Sequence, residues 1–369
     1  MTRTTGIAVL IASLLAACSA PVPEEVRLLQ TVTQQAILPL HSDFATAARD
    51  LRDDVQAFCA APDANAYEQA QNAWRTAMYD WQRLQVVSFG PVTIDNQAWR
   101  VQFWPDRNNL VRQKIESLLA NGEALTAARL EADSVVIQGL SAAEYLLFDE
   151  QGGALPVYLA VDPAAARRCD LLQLISDHTL GVATRLTDGW AEEGADYAAV
   201  FTAPGADNPE FAEPADALAT LFDSILAALE VAKNDKLAEA SGFRNELGIA
   251  QPYAVEAWRS RYSLPLIAAT IDGARLLYNG GQESTAFGIG DLLRTKGATE
   301  LADTVEQQFA AVQAATPDGL VLFDAVNLPE HTAELTDYYA ALTSLVQTLK
   351  NEVPPVLGIT LGFNDKDGD

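Results

Sequence analysis

Histidine, methionine and cysteine are all scarce, at three, two and three in 369 residues. The histidines, His41, His178 and His331, stand far apart, and none belongs to a His-Glu-x-x-His run, so no zincin motif is present. No Gly-x-Ser-x-Gly elbow, phosphate loop or dinucleotide fingerprint occurs either, which leaves the common hydrolase and nucleotide chemistries without a motif. Basic residues are the other shortage. Lys+Arg number 24 against 50 Asp+Glu, a net charge of −26, which opposes binding to nucleic acid or an anionic membrane surface and favours cations or basic partners. After the N-terminus no apolar run is long enough to span a membrane.

The N-terminus reads differently. Arg3, the apolar run Gly6 to Ala17 and the small residues that end it have the pattern of a secretory signal, residues 1–17. The run is too short for a spanning helix. Its ending, Leu15-Ala16-Ala17-Cys18, resembles the bacterial lipobox, which implies cleavage before Cys18 and lipidation of that thiol. The expected product is an envelope protein, lipid-anchored to the membrane through an 18–25 linker and facing the periplasm. Only Cys59 and Cys169 then remain in an oxidising compartment, and two leftover thiols suggest one disulfide. Two separate buried thiols are the alternative.

Apolar residues recur at three- and four-residue spacing over Val26–Phe58, Ala64–Val87, Arg107–Ala120, Leu125–Phe148, Pro163–Glu193, Glu213–Leu237, Pro252–Tyr278, Asp291–Ala315 and Pro329–Lys350. This predicts an all-α fold of long helices around bundle cores. The Ala-, Gly-, Pro- and acid-rich segment 192–217 reads as a connection. It divides the chain into an N-terminal helical bundle, 26–191, and a C-terminal helical bundle, 218–355, before an acidic tail, 356–369. Ala-Trp-Arg occurs in both halves, at 73–75 and 257–259, and the two bundles are expected to be related as a pseudo-repeat.

The stretch "QGLSAAEYLLFD", Gln138 to Asp149, places one acid, Glu144, among aliphatic neighbours, with Leu140 at i−4 and Leu147 at i+3. A carboxylate so placed needs a partner or a proton. Ser141 lies one turn before it on the same face. Two irregular segments, 87–109 and 243–261, carry aromatics beside paired opposite charges, and loops of that kind between rigid bundles are where a binding site is expected.

Trp74 and Trp81, "FGP" at 89–91, "FWPD" at 103–106, "GLSAAEYLLF" at 139–148, "RRC" at 167–169, "EAWRSR" at 256–261 and "LGFN" at 361–364 together make the chain resemble the imelysin-like proteins. That group includes insulin-cleaving metallopeptidase homologues and iron-regulated periplasmic lipoproteins. The resemblance implies two four-helix-bundle-like domains with the site in the groove between them. Its hallmark, Gly-x-His-x-x-Glu, reads here Gly139-Leu140-Ser141-Ala142-Ala143-Glu144, so serine stands where the strongest nitrogen donor would be.

The expected function is therefore a non-catalytic binding protein associated with iron uptake, taking a small ligand or metal ion in the groove. Ser141 and Glu144 would anchor it, Asp106, Arg100, Arg107, Arg259 and Arg261 would supply charge, and Trp81, Trp104 and Trp258 would form walls. No cofactor is required; iron or another divalent metal would bind weakly, with Glu144 as its ligand. The alternatives are a metallopeptidase of the imelysin type, or a scaffold docking an envelope protein partner.

Overall fold

The computed structural model describes residues 22–148, 153–160, 162–191, 193–244 and 247–362. The signal segment, Cys18 and the acids after 362 lie outside the described residues. Among those residues the secondary structure is helical, with no strand, as the spacing predicts.

The chain opens with α1 (Glu24–Val32), which runs through a π-helical turn, Thr33–Ile37, into α2 (Leu38–Ala60). Then come α3 (Ala64–Leu84), the short α4 (Gln97–Val101), α5 (Leu110–Ala120), α6 (Ala127–Ala132), α7 (Gly139–Leu147) and α8 (Leu155–Tyr158). The long α9 (Pro163–Trp190) leads through α10 (Tyr197–Thr202) to α11 (Pro214–Glu230), which continues as a π-helical stretch, Val231–Ala238, into α12 (Glu239–Ser241). The remaining helices are α13 (Ser263–Asn279), α14 (Ile289–Thr295), α15 (Thr299–Ala315), α16 (Leu322–Ala325) and α17 (Thr332–Leu357).

The strongest starts are those with chemical signals. Asp63 and Asp162 cap α3 and α9 by accepting N–H bonds from Ala66 and Ala165 at 2.8 and 2.9 Å. Pro163 and Pro214 occupy first-turn positions, where a missing N–H costs nothing.

Four expected helices differ in the structure. The stretch 291–315 is two helices, α14 ending at Thr295 and α15 starting at Thr299, with Gly297 at φ +83° in the turn between them. The stretch 125–148 is not one helix: α6 stops at Asp133, a 3-10 turn spans Val135–Ile137, and α7 begins only at Gly139. Ser134 accepts from the Val136 N–H and makes the break. The 107–120 helix starts at Leu110, where Asp106 receives the first N–H groups. Of 252–278 only Ser263–Asn279 is α-helical; the residues before it form an irregular arch. The 192–217 connection is more ordered than its composition suggests, for it carries α10 and buries Phe201 between Trp190 and Phe211.

Helices α2, α3 and α9 pack side by side, α7 lies against α3 and α9, and α13 crosses α3. A Cβ on Gly273 would sit 2.4 Å from the Arg83 carbonyl oxygen, so α13 approaches α3 closely because a residue without a side chain is at the contact. Buried apolar residues form one continuous core from Leu28 to Ile359. The disulfide Cys59–Cys169 joins the end of α2 to the start of α9.

Candidate functional site: a cleft at Glu144

Helix α7 is held from three sides. Gly139 has φ +68°, and a Cβ there would fall 2.1 Å from the Val101 carbonyl oxygen. Only glycine lets α7 start against the end of α4. Trp74 Nε1 donates to the Leu140 carbonyl at 2.9 Å, while Tyr67 Oη and Gln71 Nε2, the latter at 3.0 Å, donate to the Leu147 carbonyl. The Leu147 carbonyl is one that a helix leaves open at its C-terminal end, and Tyr67 and Gln71 satisfy it; Trp74 adds a bond in the first turn.

So positioned, α7 aims Glu144 into a cleft lined by Trp74, Gln102, Trp104, Asp106, Trp258 and Arg259, among others. The cavity is about 30 Å³, room for roughly two waters. Glu144 is 6% exposed, and its Oε1 accepts the backbone N–H of Ser260 at 2.9 Å. Burial raises its carboxyl above the ordinary range, opposed by the Ser260 hydrogen bond and the nearby Arg259 guanidinium. Ser141 donates its hydroxyl to the Phe103 carbonyl at 3.0 Å.

The opposite lip is the arch between Glu256 and Ser263. Ala257 and Arg261 both adopt left-handed backbone, φ +49° and +58°, a conformation that costs a side-chain-bearing residue roughly 1–2 kcal/mol. The Arg259 guanidinium lies over the Trp258 and Tyr145 rings at 4.2 and 5.2 Å and donates to Asn109 at 2.6 Å. Trp258 stacks on Phe323, whose ring carries Arg261 at 3.9 Å. The two Ala-Trp-Arg copies thus meet at one cleft, Trp74 from a helix and Trp258 from the arch.

Of the residues expected at the site, Ser141, Glu144, Asp106, Arg107, Arg259, Trp104 and Trp258 line this cleft. Asp106 is occupied: its two oxygens accept from Leu110 and Val111 N–H at 2.7 and 3.0 Å. Arg107 is largely exposed, 3.6 Å from Glu239. Arg100, Arg261 and Trp81 do not line the cleft. Arg100 pairs with Glu131 at 2.8 Å and Arg261 with Asp324 at 3.2 Å. Trp81 is fully buried, its Nε1 donating to Gln102 Oε1 at 2.9 Å.

That bond leads to a buried network behind the cleft wall. Gln102 and Gln82 donate to Glu256 Oε1 at 2.7 and 3.2 Å, and Glu256 Oε2 lies 3.1 Å from Lys236 Nζ, each side chain 2% exposed. Lys236 also donates to Gln82 and to Thr270, the latter at 3.2 Å. The π-helical stretch Val231–Ala238 turns Lys236 inward, a use typical of such insertions. Removing one partner of such an ion pair would cost about 3–5 kcal/mol.

The resemblance implies a metal, which the donors here fit poorly. Ser141 offers a neutral hydroxyl already bonded to a carbonyl, and Asp106 caps a helix. Among the described residues no group of three His, Cys, Asp or Glu is gathered to hold a metal ion. A catalytic zinc needs three protein ligands and an open position, and these residues do not provide them.

Fold and site together define an all-helical protein in which a buried carboxylate is held between a short helix and an arch distant in sequence. The chain belongs to the imelysin family, whose family model matches residues 37–349. It is 23% identical over 340 residues to iron-regulated protein A of Synechococcus elongatus, covering 89% of this chain and 86% of the relative. It shares its fold with an imelysin-like protein of Psychrobacter arcticum 273-4, with TM-score 0.75, 21% identity, and 92% and 97% of the two chains covered. Among the described residues no helix is long and apolar enough to cross a membrane.

Proposed function

We propose that the chain is a non-catalytic binding protein of the cell envelope, associated with iron uptake, whose cargo enters the cleft at Glu144. One observation carries the reading: a single buried carboxylate, oriented by a backbone N–H, faces a space of about 30 Å³ between aromatic walls. That space excludes a peptide, and a small cation there would have Glu144 and water as its donors. A net charge of −26 raises the local concentration of cations. The similarity to a protein named for iron regulation supplies the context, and the Leu-Ala-Ala-Cys ending supports an anchored, periplasm-facing location. The donor set supports no peptidase step.

The test is metal analysis of the purified chain followed by anaerobic calorimetry with ferrous ion. Wild type should bind one equivalent, and Glu144→Gln should weaken binding at least tenfold without lowering the melting temperature. No binding by wild type, or equal binding by the variant, would sink the reading. For the location, Cys18→Ser should move the protein from the membrane fraction to the soluble periplasm, because the acyl chains supply the attachment.

A further inference from the structure

We infer that Glu256 is the positioning residue of the cleft: from the buried side it fixes the arch, so that the Ser260 N–H meets Glu144. Glu256 and Ser260 sit at the two ends of one short segment. At its inner end the Glu256 side chain is gripped by Gln82, Gln102 and Lys236, and its carbonyl accepts the Ser263 hydroxyl where α13 begins. At its outer end Ser260 delivers its N–H to Glu144 at 2.9 Å and closes the arch through Oγ, which donates to the Ala257 carbonyl at 3.0 Å. Between them Ala257 is left-handed, a conformation that persists only where surrounding contacts over-determine it.

The contacts at the inner end supply that determination, and they are of an unusual kind. A carboxylate 2% exposed, shared by two amides and an ammonium, contributes little net stability compared with an apolar replacement of the same shape. What it contributes is direction, since the two amide donors fix Oε1 along defined lines while the ammonium holds the charge beside Oε2. Gln102 both binds Glu256 and lines the cleft, so wall and arch are registered by one side chain. Glu256 touches no cargo. Its effect runs through the backbone to the N–H that orients Glu144, and the consequence for cargo rests on the proposed binding function while the positioning itself does not.

The experiment compares variants with the same charges removed. Lys236→Met with Glu256→Gln eliminates both charges but keeps an acceptor for Gln82 and Gln102; Lys236→Met with Glu256→Met eliminates the acceptor too while keeping volume, and Glu256→Ala in the same background is made in parallel in case the Met version packs poorly. Hydrogen exchange of the Ser260 amide, read by NMR, reports the clasp without any ligand. The Gln version should protect Ser260 as wild type does. The Met and Ala versions should exchange it at least tenfold faster, with α3 and α13 amides unchanged. Ferrous affinity should fall tenfold or more in those two versions and recover with Gln. Equal Ser260 exchange in the Gln and Met versions, or acceleration spread equally over α3 and α13, overturns the inference. If wild type binds no ferrous ion, the binding reading fails, and the exchange data still decide the positioning.

Discussion

The Ser141 hydroxyl donates to the Phe103 carbonyl at 3.0 Å, and Glu144, one turn further along the same helix, reaches Ser260. The side chain that the imelysin hallmark would have as imidazole is therefore tied to backbone beside the cleft. Ser141→His would release that carbonyl and create an imidazole–carboxylate pair at i, i+3. We expect the variant to bind a divalent ion such as zinc at least tenfold more tightly than wild type, by calorimetry, because imidazole is the far better donor. The gain should vanish in Ser141→His with Glu144→Ala. Zinc binding that survives the second substitution would place the site elsewhere.

Gly139 gives a test of how α7 is seated. Alanine there meets the Val101 carbonyl at 2.1 Å and inherits φ +68°. Left-handed strain and overpacking together should cost about 2–5 kcal/mol, read as a lowered denaturation midpoint. A neutral Gly139→Ala would contradict the close α4–α7 approach.

The Cys59–Cys169 bridge spans 110 residues, as the leftover thiols suggested. On the chain-entropy estimate it stabilises by about 4–5 kcal/mol. Reduction, or Cys59→Ser with Cys169→Ser, should lower the melting temperature by several degrees, and alkylation of denatured protein should need reductant first.

His41 predicts an acid sensitivity. Its ring is buried, with Nδ1 2.8 Å from the Ile37 carbonyl, and burial lowers its pKa to about 4. The folded state therefore binds fewer protons than the unfolded chain between its ordinary value of 6.5 and about 4. Its contribution is fully present above pH 6.5 and is lost as pH falls toward 4, on the order of 3 kcal/mol in all. Urea denaturation at pH 7 and pH 5 should show this loss in wild type and a smaller one in His41→Gln; equal slopes would remove His41 as the cause.

How legible this was from sequence depended on where the signal lay. Long amphipathic helices with Asp caps and first-turn prolines, such as α3 and α9, write their ends locally, and the all-α class followed from them. Glu144 was legible because one acid stands out among aliphatic neighbours. Lys236 was not, since a lysine in a polar stretch looks solvated until a π-helical turn points it at Glu256, twenty residues on in sequence. Gln82 and Gln102 were missed for the same reason: their burial is decided by partners from the other half of the chain. Trp81 reads from sequence as a wall residue, yet its indole serves the network behind one. The arch escaped because its apolar spacing continues that of α13, while its left-handed residues, Ala257 and Arg261, are not types that announce such backbone.

The bonds from Tyr67, Gln71 and Trp74 to α7 have a mechanical consequence. They clamp the Leu140 and Leu147 carbonyls from a single helix, so α7 cannot rotate or advance by one turn along α3 without giving up every one of them. Helices α3 and α7 therefore travel as one stiff plate with Glu144 fixed to its face. Any opening of the cleft would therefore fall to the arch, whose outer end meets that carboxylate through Ser260.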